Sequence, residues 1–200
     1  MRDIATTIKS RIQEFSPGKI FLTGEFSDVA SNTTIRKTLG RLCQTGEIRR
    51  VIDGIYEKPV YSNLLKEYVP TDPEAVAYAL ARYYRWNIAP CGDIALNKLR
   101  LSTQVPMVWS YISDGPYRDF DLDKIRISFK HRTNRDISNM STITVMVIEA
   151  LKRIGKDNVN DEVISTLKTV LSERDKETVL KESSNSANWI YRIIQKVCRT

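Results

Sequence analysis

Between Asn32 and Ile52 the chain carries Arg36, Lys37, Arg41, Arg49 and Arg50 against Glu47 alone, a net of +4 out of a total of +7. Directly before these cations stand Ser31, Asn32, Thr33 and Thr34, all short polar side chains. A guanidinium fork matches the edge of a guanine, lysine and arginine hold phosphates, and hydroxyl or amide groups serve either purpose. Residues of these types in this order point to recognition of a polyanion, with double-stranded DNA the expected partner. Arg36 is then the candidate base reader, and Lys37, Arg41, Arg49 and Arg50 the candidate phosphate contacts. A solvated helix face beside an ordinary hairpin would carry the same charges, so the decision falls to the elements that hold them.

Other residues offer less chemistry. His131 is the only histidine, which excludes most histidine-based metal and nucleophile schemes. Asp119, Asp121 and Asp123 alternate in RDFDLD and on a strand would share one face, as divalent-ion ligands of a nucleotidyltransferase would. No glycine-rich phosphate loop precedes them, and the flanking Asp-Gly-Pro reads as a turn, so a solvated hairpin tip is the better reading. Cys43, Cys91 and Cys198 are far apart and odd in number, so they build neither a disulfide framework nor a metal knuckle. Tyr83, Tyr84, Trp86, Trp109 and Tyr111 can stack bases but read better as core. A second basic stripe, Arg126, Lys130, Arg132 and Arg135, either extends a nucleic-acid footprint or forms a charged outer strand face. No catalytic residue, metal site or cofactor is expected.

The positioning elements follow from periodicity. Ile4, Ile8, Ile12 and Phe15 give a first helix, stopped at Ser16-Pro17-Gly18. A strand stub at Lys19–Leu22 and a brief helix over Gly24–Val29 come next. Ser31 or Asn32 then caps a third helix with Ile35, Leu39, Leu42 and Cys43 inward, closed by Gly46. Ile48–Ile52, the Asp53-Gly54 turn and Ile55–Lys58 read as a hairpin in which both turn residues take positive φ. Three helices followed by a two-stranded hairpin is the order of a winged helix-turn-helix, assigned to residues 1–60. In that fold Arg49 and Arg50 sit where a wing meets phosphates.

Residues 61–71 read as a linker, and 72–200 as a mixed α/β domain ending in a helical bundle, for an α+β protein overall. Asp72-Pro73-Glu74 opens a helix, Cys91–Leu99 is a short one, and Val105–Ile112 and Lys124–Lys130 are strands. Four helices close the chain: Ile143–Ile154, Glu162–Leu171, Arg174–Lys181 and Ala187–Val197. With 42% hydrophobic and 28% charged residues the composition is globular. The longest apolar run, Val145 to Ile148, is far too short for a membrane span, and the N-terminus lacks the apolar core of a signal peptide. A reducing cytoplasm is the expected compartment.

GEIRRVIDGIYEKP (Gly46–Pro59) resembles the wing of AbiEi-type antitoxins of bacterial abortive-infection systems, through Gly46, Ile48, Arg50, Gly54, Ile55, Tyr56 and Pro59. APCGDIALNKLRLSTQVPMVW, followed by IRISFKHR, is similar to that family's second domain: a short helix with Ala-Leu, a Val-Pro step and a basic strand. The likeness covers about residues 1–135, with Asp93-Ile94 standing where the family often has serine. It implies a transcriptional autorepressor that binds inverted repeats at its own operator and counteracts a neighbouring nucleotidyltransferase-like toxin, with or without a stable complex. By analogy Arg36, Lys37, Arg41, Arg49 and Arg50 carry the DNA contact. The alternative is a protein-interaction module that sequesters a partner such as the toxin directly, without specific DNA binding.

Overall fold

The computed structural model describes residues 3–122, 125–132 and 139–199 of an α+β protein. Its contacts divide the chain into two units, Met1–Tyr84 and Arg85–Thr200.

In the first unit, α1 (Ile4–Glu14) buries Ile8 and Ile12 one turn apart. The Lys58 ammonium closes its C-terminus, donating to the carbonyls of Gln13 and Phe15 at 2.7 Å each. The strand β1 (Ile20–Leu22) leads into a 3-10 turn at Thr23–Phe26, shorter than the helix expected over Gly24–Val29. Then comes α2 (Asn32–Gln44), whose Ile35, Leu39 and Leu42 pack against Ile8, Ile12, Phe21, Phe26 and Tyr56 in one core. Gly46, at φ 74°, supplies the left-handed residue that lets the chain leave the helix.

Strands β2 (Arg49–Ile52) and β3 (Ile55–Glu57) follow, in an antiparallel sheet of order β1-β3-β2. The Asp53-Gly54 turn is present, but only Gly54 has positive φ, at 79°. The expectation of two left-handed turn residues is therefore corrected. A register shift between Arg50 and Ile52 takes up the strand twist that a turn with two such residues would have supplied.

The segment expected as a linker, 61–71, contains a second hairpin, β4 (Tyr61–Ser62) against β5 (Glu67–Tyr68). The helix α3 (Pro73–Tyr84) opens with Asp72 accepting from the Glu74 amide at 3.0 Å. It groups with the first unit because it packs on β1 and sets Tyr83 against Gly54, so the expected boundary at residue 72 moves to the end of α3.

The second unit holds β6 (Ile88–Pro90), α4 (Gly92–Lys98), β7 (Val108–Ser113), β8 (Arg118–Leu122) and β9 (Ile125–His131). The sheet order is β6-β7-β9-β8, with β7 and β9 parallel and the outer pairs antiparallel. RDFDL is thus a strand and not a turn-rich tip. Gly115 lies where a Cβ would stand 2.2 Å from the Trp86 ring, so only glycine fits the bend that follows β7.

Four helices complete the unit: α5 (Thr142–Ile154), α6 (Asp161–Val170), α7 (Glu173–Glu182) and α8 (Asn188–Cys198). Val147, Leu151, Leu167, Val179, Ile190 and Ile194 form their shared core. Each of the first three is capped by a side chain, from Ser141, Asn160 and Ser172 respectively. Among the described residues no helix is long and apolar enough to cross a membrane.

Candidate nucleic-acid interface

The core dictates which way α2 faces. With Ile35, Leu39 and Leu42 inward, the 3.6-residue period turns Asn32, Thr33, Arg36, Lys37 and Arg41 outward, and all five are exposed. Ser31 occupies the N-cap position, yet its hydroxyl meets Thr34 Oγ1 at 3.0 Å and makes no capping bond. Five of the expected site residues of the helix are therefore on its open side, while Thr34 is half-buried.

The hairpin does not present its cations in the same way. Arg49 lies across from Glu57 in the β2–β3 register. Its Nε and Nη2 donate to Glu57 Oε2 at 3.0 and 2.6 Å, and Nη2 also reaches Val69 O at 3.3 Å and Thr71 Oγ1 at 2.8 Å. The Glu57 side chain is only 4% exposed, and Thr71 donates to it as well. A carboxylate that deep needs its partners, so Arg49 is bound to its own fold and ties both hairpins together. That engagement sets Arg49, the expected phosphate contact of the hairpin, apart from the cations on the outer face of α2.

Arg50 stays exposed, with its guanidinium 5.5 Å from the Tyr56 ring centre, a cation–π distance. Arg36 pairs with Asp53 of the hairpin turn at 2.8 Å, both side chains largely in solvent. Two acids just beyond Ile52, Asp53 and Glu57, thus engage two of the five cations counted up to that residue. A third acid, Glu47, is held by Lys9 of α1 at 2.9 Å, and that lysine draws its carboxyl below the ordinary glutamate range. Lys37, Arg41 and Arg50 are left as the exposed cations that these acids do not engage.

The second basic stripe is broken up in a similar way. Arg126 Nε pairs with Asp121 Oδ1 across β8–β9 at 2.8 Å. Lys130 is exposed, Arg132 donates to the His131 carbonyl at 3.0 Å, and Arg135 lies outside the described residues. Asp119 and Asp121 are exposed and alternate on β8, while Asp123 lies outside the described residues. Among the described residues no group of three or more His, Cys, Asp or Glu side chains is placed to hold a metal ion. His131 Nδ1 sits 2.8 Å from the Gly115 carbonyl. Cys91 is buried, and burial pushes its thiol up to about 11, far from a nucleophile's range.

Sequence reasoning missed the network around Glu57 and the 61–68 hairpin. The signal for the first was present: an acid opposite an arginine across a short antiparallel turn is a cross-strand pair. A family model described as a family of unknown function (DUF6088) matches residues 7–179. No curated protein matches the chain.

Proposed function

We propose that this chain, which belongs to the DUF6088 family of unknown function, is a sequence-specific DNA-binding repressor acting through its N-terminal unit. The observation that carries the reading is the outer face of α2, where Asn32, Thr33, Arg36, Lys37 and Arg41 stand together in solvent over a well-packed inner face. The order helix, strand, 3-10 turn, helix, hairpin, with a sheet arranged β1-β3-β2, supports reading the unit as a winged helix-turn-helix. In that arrangement α2 enters the major groove by its N-terminal end. Its first-turn amides, uncapped by Ser31, suit a phosphate. Arg36 reads a base, Lys37 and Arg41 hold phosphates, and Arg50 supplies the cation of the short wing.

The likeness to AbiEi-type antitoxins extends the proposal: a cytoplasmic autorepressor on inverted repeats of its own operator, counteracting a nucleotidyltransferase-like toxin. A protein-interaction module that sequesters such a partner is the second reading. It draws on the internal engagement of Arg36 and Arg49, which leaves the surface less cationic than the sequence alone suggests.

Fluorescence anisotropy with the chain's own upstream DNA and a shuffled control, from 50 to 200 mM salt, tests the choice. Upstream DNA should bind at least about a thousandfold more tightly, with a steep log–log salt slope. Weak and equal binding of both DNAs overturns the repressor reading and leaves the protein-contact one, which co-purification with the neighbouring gene product then examines.

A further inference from the structure

Arg36 of α2 donates from Nη2 to Asp53 Oδ2 of the hairpin turn at 2.8 Å, across seventeen residues of sequence. The turn that carries the acid is tied from behind. The Thr23 amide and hydroxyl both donate to the Gly54 carbonyl, at 3.0 and 3.3 Å, Leu22 pairs with Ile55 in the β1–β3 register, and the Tyr83 ring lies against Gly54. Arg36 in turn stands on a helix whose inner face is core. Of the three acids between Asn32 and Lys58, Glu57 is buried and Glu47 is held by Lys9, so Asp53 is the one that engages a cation of α2.

Neither stability nor turn formation accounts for that charge. The two side chains are 48% and 70% exposed, and exposed ion pairs add little to a fold. Asn-Gly makes the same kind of turn as Asp-Gly without a charge. An acid at the tip of a hairpin that approaches DNA also repels the phosphates it nears, which lowers affinity for every sequence alike.

We infer that Asp53 is a positioning residue that sets sequence specificity, holding the Arg36 guanidinium in the orientation from which it reads a guanine. This inference rests on the DNA-binding reading proposed above. A guanidinium carries five N–H donors, and Asp53 takes one of them, from Nη2. The other hydrogen on Nη2 and those on Nη1 stay available for the O6 and N7 of a guanine in the bidentate pairing. A long arginine side chain loses rotamer freedom on reaching a base, and a neighbour that fixes it beforehand removes that cost from the correct complex. On a wrong sequence the guanidinium swings to a phosphate and leaves the Asp53 carboxylate beside the DNA backbone without a cation. Asp53 thereby gives up general affinity for discrimination.

Anisotropy titrations of the full chain with the upstream DNA and the shuffled control, on Asp53→Asn, Arg36→Ala and the double variant, are the test. Asp53→Asn keeps the turn but exchanges the charge-assisted hydrogen bond for a weaker neutral one, so an unchanged circular dichroism spectrum is expected. It should bind shuffled DNA about threefold more tightly and upstream DNA no more tightly than the natural chain, with the preference between them lowered at least about fivefold. With Arg36→Ala already in place, Asp53→Asn should leave the preference where it is, because the acid acts on it through the arginine. Equal tightening on both DNAs overturns the inference, since Asp53 is then a repulsive charge and no more. A preference that Asp53→Asn does not change overturns it too, as does one that it lowers equally with and without Arg36. A natural chain with no preference for upstream DNA overturns the DNA reading and this inference with it, so the natural chain alone tells the two failures apart.

Discussion

Arg49 and Lys37 are both basic residues of one small unit, yet opposite outcomes are expected of them. Arg49→Ala leaves Glu57 buried without its cation and should cost about 1.5–3 kcal/mol, the range for a hydrogen bond to a charged group. A chemical-denaturation midpoint that does not move would refute that role. Lys37→Ala should leave the midpoint unchanged and lower the log–log salt slope of DNA binding by about one, weakening all sequences alike, while Arg36→Ala should cost about 1–3 kcal/mol and relax sequence choice. Glu182 permits a prediction in pH. Burial pushes its carboxyl up, but hydrogen bonds from Thr144, from the Ser141 hydroxyl and from the Ser141 amide outweigh it and leave it below the ordinary value. A carboxyl depressed in the folded state stabilises above its unfolded pKa, about 4.3, and the gain disappears as pH falls through the folded value. The melting-temperature gap between the natural chain and Glu182→Gln should therefore be full at pH 6 and close toward pH 3. A gap that stays constant with pH would show that Glu182 has no net linkage.

At the scale of elements, long periodic stretches were readable and short irregular ones were not. The four C-terminal helices fall within about two residues of their expected bounds, because each carries an apolar stripe, and the first three a polar cap, that local sequence expresses. The 61–68 hairpin was invisible, since two-residue strands have no period to detect and their stability comes from Arg49, distant in sequence. Strand β8 was hidden by Asp-Gly-Pro and by its alternating aspartates, which face solvent at the edge of the sheet. For the candidate site, the face of α2 was legible from helical spacing, whereas the engagement of Arg36 and Arg49 depended on partners across a turn. That turn is itself testable. Gly54→Ala would hold a side chain at φ 79° and bring its Cβ to 3.2 Å from the Tyr83 ring, so a loss of about 1–3 kcal/mol is expected. An unchanged melting temperature would mean that the turn relaxes freely. Gly40→Ala, with nothing within 4 Å of its Cβ, is the control and should be neutral or slightly stabilising.

For the molecule as a whole, charge alone is a poor guide to what it binds, because much of it is internally matched. With Lys37, Arg41 and Arg50 as the phosphate contacts of one DNA half-site, the log–log salt slope should be roughly −3, and a slope near zero would remove phosphate contact altogether. The sheet of the second unit carries a consequence of a different kind. Its order β6-β7-β9-β8 puts the last strand made beside the second, with the third outside it. During synthesis β7 leaves the ribosome with one edge unpaired until Ile125–His131 follows. Only two residues of sequence separate β8 from β9, whereas β7–β9 pairing must first draw in the whole intervening chain, so β8 and β9 pair early and dock together. The vulnerable species on this route is a nascent chain that has emerged only as far as about residue 122, with the β7 edge open to other chains.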